Sequence, residues 1–230
     1  MKHRSSFEEA YSLILEEIVN GTLKPGEVIT EFNLAERYGI SRTPLREALS
    51  RFQCEGLIST SNRTKRIYSL SDHDIEEIFE MKELIEGNVA KQAAEKLADK
   101  PAEDLLQVVK GMKKLSERTP ENESEERELL DNWLDLDKQF HEIIFSAAGN
   151  KRAQQYIQKL NIQWHRLNVG LIAIEGRIGK AIMEHEAIAN AIMERNPEKA
   201  RNTMTEHLED LKKVIIKLMA AFGYADNVTN

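Results

Sequence analysis

The stretch TEFNLAERYGISRTPLREALSRF, Thr30–Phe52, decides how the N-terminal part of this chain folds. Gly39 closes a short helix, because glycine takes the left-handed conformation that ends helices at little cost. Beyond it, Leu45, Ala48, Leu49 and Phe52 recur at i, i+3, i+4 and i+7, the spacing of one buried helix face. Pro44 is tolerated only in the first turn of that helix, where its missing N–H costs little. Arg42, Thr43, Arg46 and Ser50 lie together on the side away from the apolar stripe. Ala35, Gly39 and Leu45 supply the small residue, the turn glycine and the buried apolar residue that let two helices cross closely.

Working outward, Phe7, Ala10, Tyr11, Ile14 and Ile18 mark a preceding helix, and NGTLKPGEVI ends it with turn residues. On the other side, GLISTSNRTKRIYSL reads as two short strands with a polar, basic tip, Ser61–Arg66, between them. Helix, short helix, tight turn, helix and basic hairpin is the plan of a winged helix-turn-helix. Its arginines edge the helix that enters the major groove, where Arg pairs with guanine or phosphate. The charge distribution agrees. The chain has a formal charge of −7, yet residues 1–70 hold ten Lys/Arg against nine Asp/Glu, or +1, so residues 71–230 carry −8. From Glu36 to Arg66 the count is seven basic to three acidic, or +4. An acidic protein with one basic island binds a polyanion through that island. Arginines alone can be a solvated face; the turn and the hairpin decide for DNA.

A composition of 41% hydrophobic and 31% charged residues excludes a disordered chain. The single cysteine, Cys54, excludes an intramolecular disulfide framework and reads as a small buried apolar residue in a reducing cytosol. No apolar run approaches the ~18 residues of a membrane span. The start, MKHRSSFEEAYS, has no apolar signal core, so a cytoplasmic protein is expected.

After SDHD the strand signals stop. Apolar stripes predict helices at about 74–98, 101–117, 124–148, 150–173, 175–194 and 197–222. The predicted fold is mostly α: a winged helix-turn-helix DNA-binding domain over 1–72, then an all-α six-helix bundle over 73–230. Within the bundle, polar residues stand where apolar ones belong. The third helix has a stripe of Leu130, Trp133, Leu134, Ile144 and Ala148, with Asp137 and His141 in its middle. The fifth has Ile178, Ile182, Ala189 and Ile192 around His185; the sixth has Ala200, Leu211, Val214 and Leu218 around His207. A buried unpaired carboxylate is costly, and a metal relieves that cost while using neutral imidazoles as ligands. Any one histidine is better read as a satisfied core residue, but the four residues together favour a metal. His3, His73 in the interdomain linker and His165 are read as solvated. Lys82 and Glu86 also fall within a stripe, that of Ile75, Ile78, Phe79, Ile85 and Val89. They form either a buried i, i+4 pair or a lysine facing a cavity that receives an anion.

NGTLKPGEVITEFNLAERYGISRTPLREALSRFQCEGLI resembles the DNA-binding domain of the GntR family of bacterial transcription regulators, SRTPLREAL most specifically. DKQFHEIIFSAAGN, MEHEAIANAIMERNPEKA and the later His207 resemble that family's FCD effector domain, as in the FadR-type regulators. Six bundle helices point to the VanR-like branch. The resemblance implies a homodimeric regulator whose affinity for a pseudo-palindromic operator changes when a small carboxylic acid enters the bundle. It implies DNA contacts by Arg42, Thr43 and Arg46, and by Asn62 and Arg63 in the wing; Lys65, also in the wing, is read from its position as a phosphate contact. It also implies a divalent ion on Asp137, His141, His185 and His207. Three imidazoles favour zinc, and the carboxylate leaves nickel or manganese open. Lys82 and Glu86 are the candidate effector contacts. In three places the sequence departs from the family pattern: Phe32 stands where an arginine is usual, Thr64 replaces the wing glycine, and Lys82 replaces an arginine.

Two other functions remain open at this level. The metal itself could be the signal, with no organic effector. An Asp/His3 site could also activate water in a hydrolase, but no general base is compelled: Glu142 and Glu184 neighbour ligands in sequence and so are expected to point elsewhere. No enzyme is expected.

Overall fold

A computed structural model of the chain describes residues 6–118, 121–164 and 177–221. The N-terminal elements are α1 (Ser6–Val19), β1 (Val28–Ile29), α2 (Glu31–Tyr38), α3 (Arg42–Cys54), β2 (Ile58–Ser61) and β3 (Thr64–Ile67). Then follow α4 (Asp72–Lys96), α5 (Asp99–Ser116), α6 (Glu123–Ala148), α7 (Lys151–Trp164), α8 (Arg177–Met193) and α9 (Pro197–Ala221). Among the described residues the first compact unit holds 6–74, 161–164 and 219–221, and the second holds 75–160 and 177–218. None of these helices is long and apolar enough to cross a membrane.

The helix-turn-helix forms as its sequence dictates. The Thr30 side chain accepts the Asn33 N–H at 3.1 Å and starts α2. Gly39 ends it at φ 67°, with its N–H on the Ala35 carbonyl. Leu45, Ala48, Leu49 and Phe52 of α3 are all 0% exposed, and Ala10, Ile14 and Ile18 of α1 share their core. Three details differ from the sequence reading. Val28–Ile29 is a third strand, β1, which pairs with β3 to give the sheet order β1-β3-β2. The hairpin tip is also far shorter than Ser61–Arg66. Ser61 pairs with Thr64, so only Asn62 and Arg63 turn, at φ 50° and 63°. Thr64 is therefore already strand, and the positive φ falls on the two residues before it. Cys54 is exposed, not buried, because it lies two residues past Phe52, across the helix from the core.

Ser71 and Asp74, at the end of the first unit's N-terminal stretch, cap α4 reciprocally: Asp74 N–H donates to Ser71 Oγ at 3.1 Å, and Ser71 N–H to Asp74 Oδ2 at 2.7 Å. Helix α4 thus begins at Asp72 and includes the exposed His73, which is not in a linker. Gly87 lets α9 close on α4, since a Cβ there would lie 2.9 Å from Thr205 Oγ1. The buried face of α9 runs through Ala200, Met204, His207, Leu208, Ile215 and Met219. Leu211, Val214 and Leu218, expected on the stripe around His207, are only half-buried, whereas Ala200 and His207 are buried as expected. The expected helix over 150–173 is seen as Lys151–Trp164; its remainder, with His165, lies outside the described residues, as does His3.

Candidate functional site

Two groups of polar side chains stand out. The first lies on the helix-turn-helix. Arg42, Thr43 and Arg46 on α3 are exposed, as are Asn62 and Arg63 at the hairpin tip, while Lys65 on β3 is half-buried. The structure gathers three of them around a residue the sequence did not single out. Glu31, the first residue of α2, accepts Arg46 Nε at 3.2 Å on Oε2 and 3.4 Å on Oε1. Lys65 Nζ is 3.6 Å from its Oε1, and Arg42 Nη2 is 4.0 Å from its Oε2. The register explains the approach of the wing, because Ile29, two residues before Glu31, sits opposite Lys65. Phe32, in place of the usual arginine, is 62% exposed.

The second group is inside the bundle. His141 on α6, His185 on α8 and His207 on α9 each offer a ligand atom, and these atoms lie within 4.8 Å of one another. The rings pack closely, His185 and His207 at 4.7 Å between centroids, with Phe140 edge-on to His185 at 4.5 Å. Asp137, one turn before His141, joins two of the three. Its Oδ1 is 3.1 Å from His185 Nε2 and 4.0 Å from His141 Nε2. Although protein atoms crowd Asp137, 37% of its side chain meets solvent. The cluster is open to solvent on its Asp137 side.

What lies behind the imidazoles matters as much. His185 Nδ1 is 2.6 Å from the Ala181 carbonyl, and His207 Nδ1 is 2.7 Å from Glu184 Oε2. His141 Nδ1 is 3.2 Å from Glu86 Oε2, but that approach is off the line of a well-formed hydrogen bond, so the contact is chiefly electrostatic. His185 Nε2, buried and 3.1 Å from Asp137 Oδ1, likewise has no aligned hydrogen-bond partner among the described residues. The His185 and His207 rings are thus held from the Nδ1 side, as metal-ligating histidines are, and His141 has the Glu86 carboxylate behind its Nδ1. Glu184 does not point elsewhere, as its place beside His185 had implied. It reaches α9 and is itself held by Arg177 Nη1 at 3.2 Å. Residues 177, 181, 184, 185 and 188 share one helix face, a spacing from which Glu184 and Arg177 could have been found.

Lys82 and Glu86 form the buried pair, at 2.5 Å between Nζ and Oε1 with 4% and 2% of their side chains exposed. Glu86's other oxygen faces His141, so the two anomalies of the sequence are one continuous network. Burial pushes Glu86 up, but the Lys82 and His141 charges more than offset it and leave its pKa at about 2. Burial pushes His207 down to about 4, so it is a neutral imidazole near pH 7. Burial also lowers His141, yet Glu86 and Asp137 reverse the sign and raise it. For Asp137, burial is outweighed by the surrounding imidazoles, and its carboxyl stays well below the usual range.

The FCD domain family matches residues 77–210, and the family described as bacterial regulatory proteins, gntR family, matches residues 7–64. The chain belongs to the GntR family and carries an FCD domain. As a GntR-family protein it is a DNA-binding transcription regulator. The HTH-type transcriptional regulator YdhC of Bacillus subtilis (strain 168) is 28% identical to this GntR-family chain over 89% of it and 90% of YdhC. The HTH-type transcriptional repressor GlaR of Escherichia coli (strain K12) is 25% identical over 92% of the chain and 96% of GlaR. In fold, E. coli McbR/YncC superposes with a TM-score of 0.71 at 18% identity, over 93% of this chain and 98% of that one.

Proposed function

We propose that this GntR-family regulator is a cytoplasmic homodimer whose binding to a pseudo-palindromic operator is controlled at a divalent-metal site in its helical bundle. One observation carries the reading. Three buried or half-buried imidazoles converge from three helices, each engaged behind at Nδ1 by Glu86, Ala181 O or Glu184. A merely structural core histidine needs no such convergence. The donor set, three imidazoles with the Asp137 carboxylate, fits a borderline divalent ion such as zinc, with nickel or manganese as alternatives. When bound, the ion supplies a positive centre able to take the carboxylate of a small organic acid. The chain's residues do the rest. Glu86 and Glu184 orient His141 and His207, neutral His207 presents a lone pair, and partly exposed Asp137 leaves an approach from solvent.

The same geometry narrows the part of Lys82. Its ammonium already meets Glu86 at 2.5 Å in a buried pair, so Lys82 and Glu86 act on the effector site by holding His141, not by receiving an anion from solvent. On the DNA side, Arg42, Thr43 and Arg46 face the major groove, Asn62 and Arg63 the adjacent backbone or minor groove, and Lys65 a phosphate.

The test is titration of metal-loaded protein on operator DNA with a panel of small organic acids. A further change in operator affinity on adding one acid supports the proposal. A response to metal that no acid modifies leaves the metal itself as the signal. Zinc-dependent turnover of esters or lactones would instead point to a hydrolase.

A further inference from the structure

We infer that Glu31 is a positioning residue that decides which base Arg46 reads. The inference rests on α3 being the recognition helix, and it concerns how that helix reads. A guanidinium has one Nε–H and two terminal nitrogens. Glu31 takes the Nε edge of Arg46 with both oxygens, at 3.2 and 3.4 Å. The terminal nitrogens are left to face outward on a side chain that is 60% exposed. Two parallel N–H donors in that orientation match the O6 and N7 acceptors of guanine. Adenine presents a donor beside its N7 and does not match. A free arginine in the same place could swing to a phosphate; one held at Nε is aimed.

Glu31 is itself well fixed. It opens α2 directly after the Thr30 cap, its side chain is only 18% exposed, and Lys65 Nζ from the wing strand lies 3.6 Å from Oε1. One carboxylate therefore joins the recognition helix to the wing. This also accounts for an acidic residue on a surface that must meet a polyanion. Its charge is used up by cations on the same surface.

The experiment is selection of duplexes from a randomised pool by the full-length protein and by Glu31→Ala, Glu31→Gln and Arg46→Lys. The wild type is expected to prefer guanine over adenine at one position per half-site by roughly tenfold or more. Glu31→Ala should bring that position close to parity while binding the unselected pool as well as the wild type or better. Arg46→Lys should lose the preference at the same position, since a point charge cannot make the paired contact. Glu31→Gln, which keeps an acceptor for Nε, should retain more of the preference than alanine does. The inference is overturned if Glu31→Ala keeps the guanine, or loses every duplex alike, which would make Glu31 merely structural. Equal loss in Gln and Ala overturns it in favour of a bulk charge effect, and so does a change at a position that Arg46→Lys leaves alone. A wild type that enriches no sequence at all would instead remove the recognition-helix assignment beneath it.

Discussion

Glu31 and Glu86 are each a single carboxylate shared among cations, and they differ in almost everything else. Glu31 sits at the surface, with partners whose side chains are 25 to 63% exposed. Glu86 is 2% exposed, against a lysine at 4% and an imidazole at 19%. Around Glu31, water screens each pair and can replace it, so the cluster sets direction at little cost in stability. Around Glu86, no solvent is at hand to replace a lost partner. The buried network must therefore be complete before the bundle is stable. One cluster suits a surface that exchanges partners, the other a site that must hold its shape until something enters.

The contrast is sharpest in folding stability. Glu86→Ala leaves Lys82 buried without its carboxylate and should cost about 3–5 kcal/mol, read from denaturant unfolding of the bundle. Glu31→Ala should cost less than about 1 kcal/mol; comparable losses would erase the distinction. Next in size is metal. An ion at a hundred times its dissociation constant should stabilise the folded chain by about 2.7 kcal/mol, seen as a melting temperature that falls on chelation. Elemental analysis should find near one ion per chain, and His185→Ala should abolish the shift while leaving operator binding largely intact. On the surface, Arg46→Ala should weaken operator binding by about 1–3 kcal/mol. Lys65→Ala should weaken all sequences alike and lower the salt slope by about one. An Arg46→Ala loss that is equal on random DNA would make that arginine a phosphate contact.

The last effect is a pH trend in the metal-free protein. His207 has its pKa lowered from 6.5 to about 4 by burial. Between those values the unfolded chain binds more protons than the folded one, so stability should fall as pH drops from about 6.5 to 4. His141, raised, contributes the opposite slope, its share fading as pH climbs. Melting curves of wild type and His207→Gln should therefore diverge toward high pH and converge toward low pH; parallel curves would show that His207 is not held neutral by burial.

Much of this was written in the sequence, and the exceptions share a cause. The turn at Gly39 and the α3 stripe are local, and helical geometry alone placed them. Asp137, His141, His185 and His207 were visible because polar residues interrupt apolar stripes, and the structure brings the three imidazoles together. What escaped depends on partners distant in sequence. Strand β1 is two residues long and exists because β3 passes beside it. Glu31 looks like any acidic residue at a helix start until β3 and α3 converge on it. On α9 Ala200 and His207 of the expected stripe are buried, but Leu211, Val214 and Leu218 lie beside the buried face, because a wide apolar face leaves its centre to be chosen by the neighbours. Residue type alone favours a buried Cys54, whereas its position relative to Phe52 places it outside.

The two-residue wing turn carries a consequence of its own. Asn62 and Arg63 both hold positive φ, and a left-handed backbone costs an arginine roughly 1–2 kcal/mol that glycine would not pay. A chain selected only for durability would put glycine at position 63. Retaining arginine at its tip, the hairpin gives up some of its own robustness to keep a charge at its outermost point. Heat-stable descendants of this regulator, if bred by stability alone, would be drawn to replace it and would come to bind DNA less well.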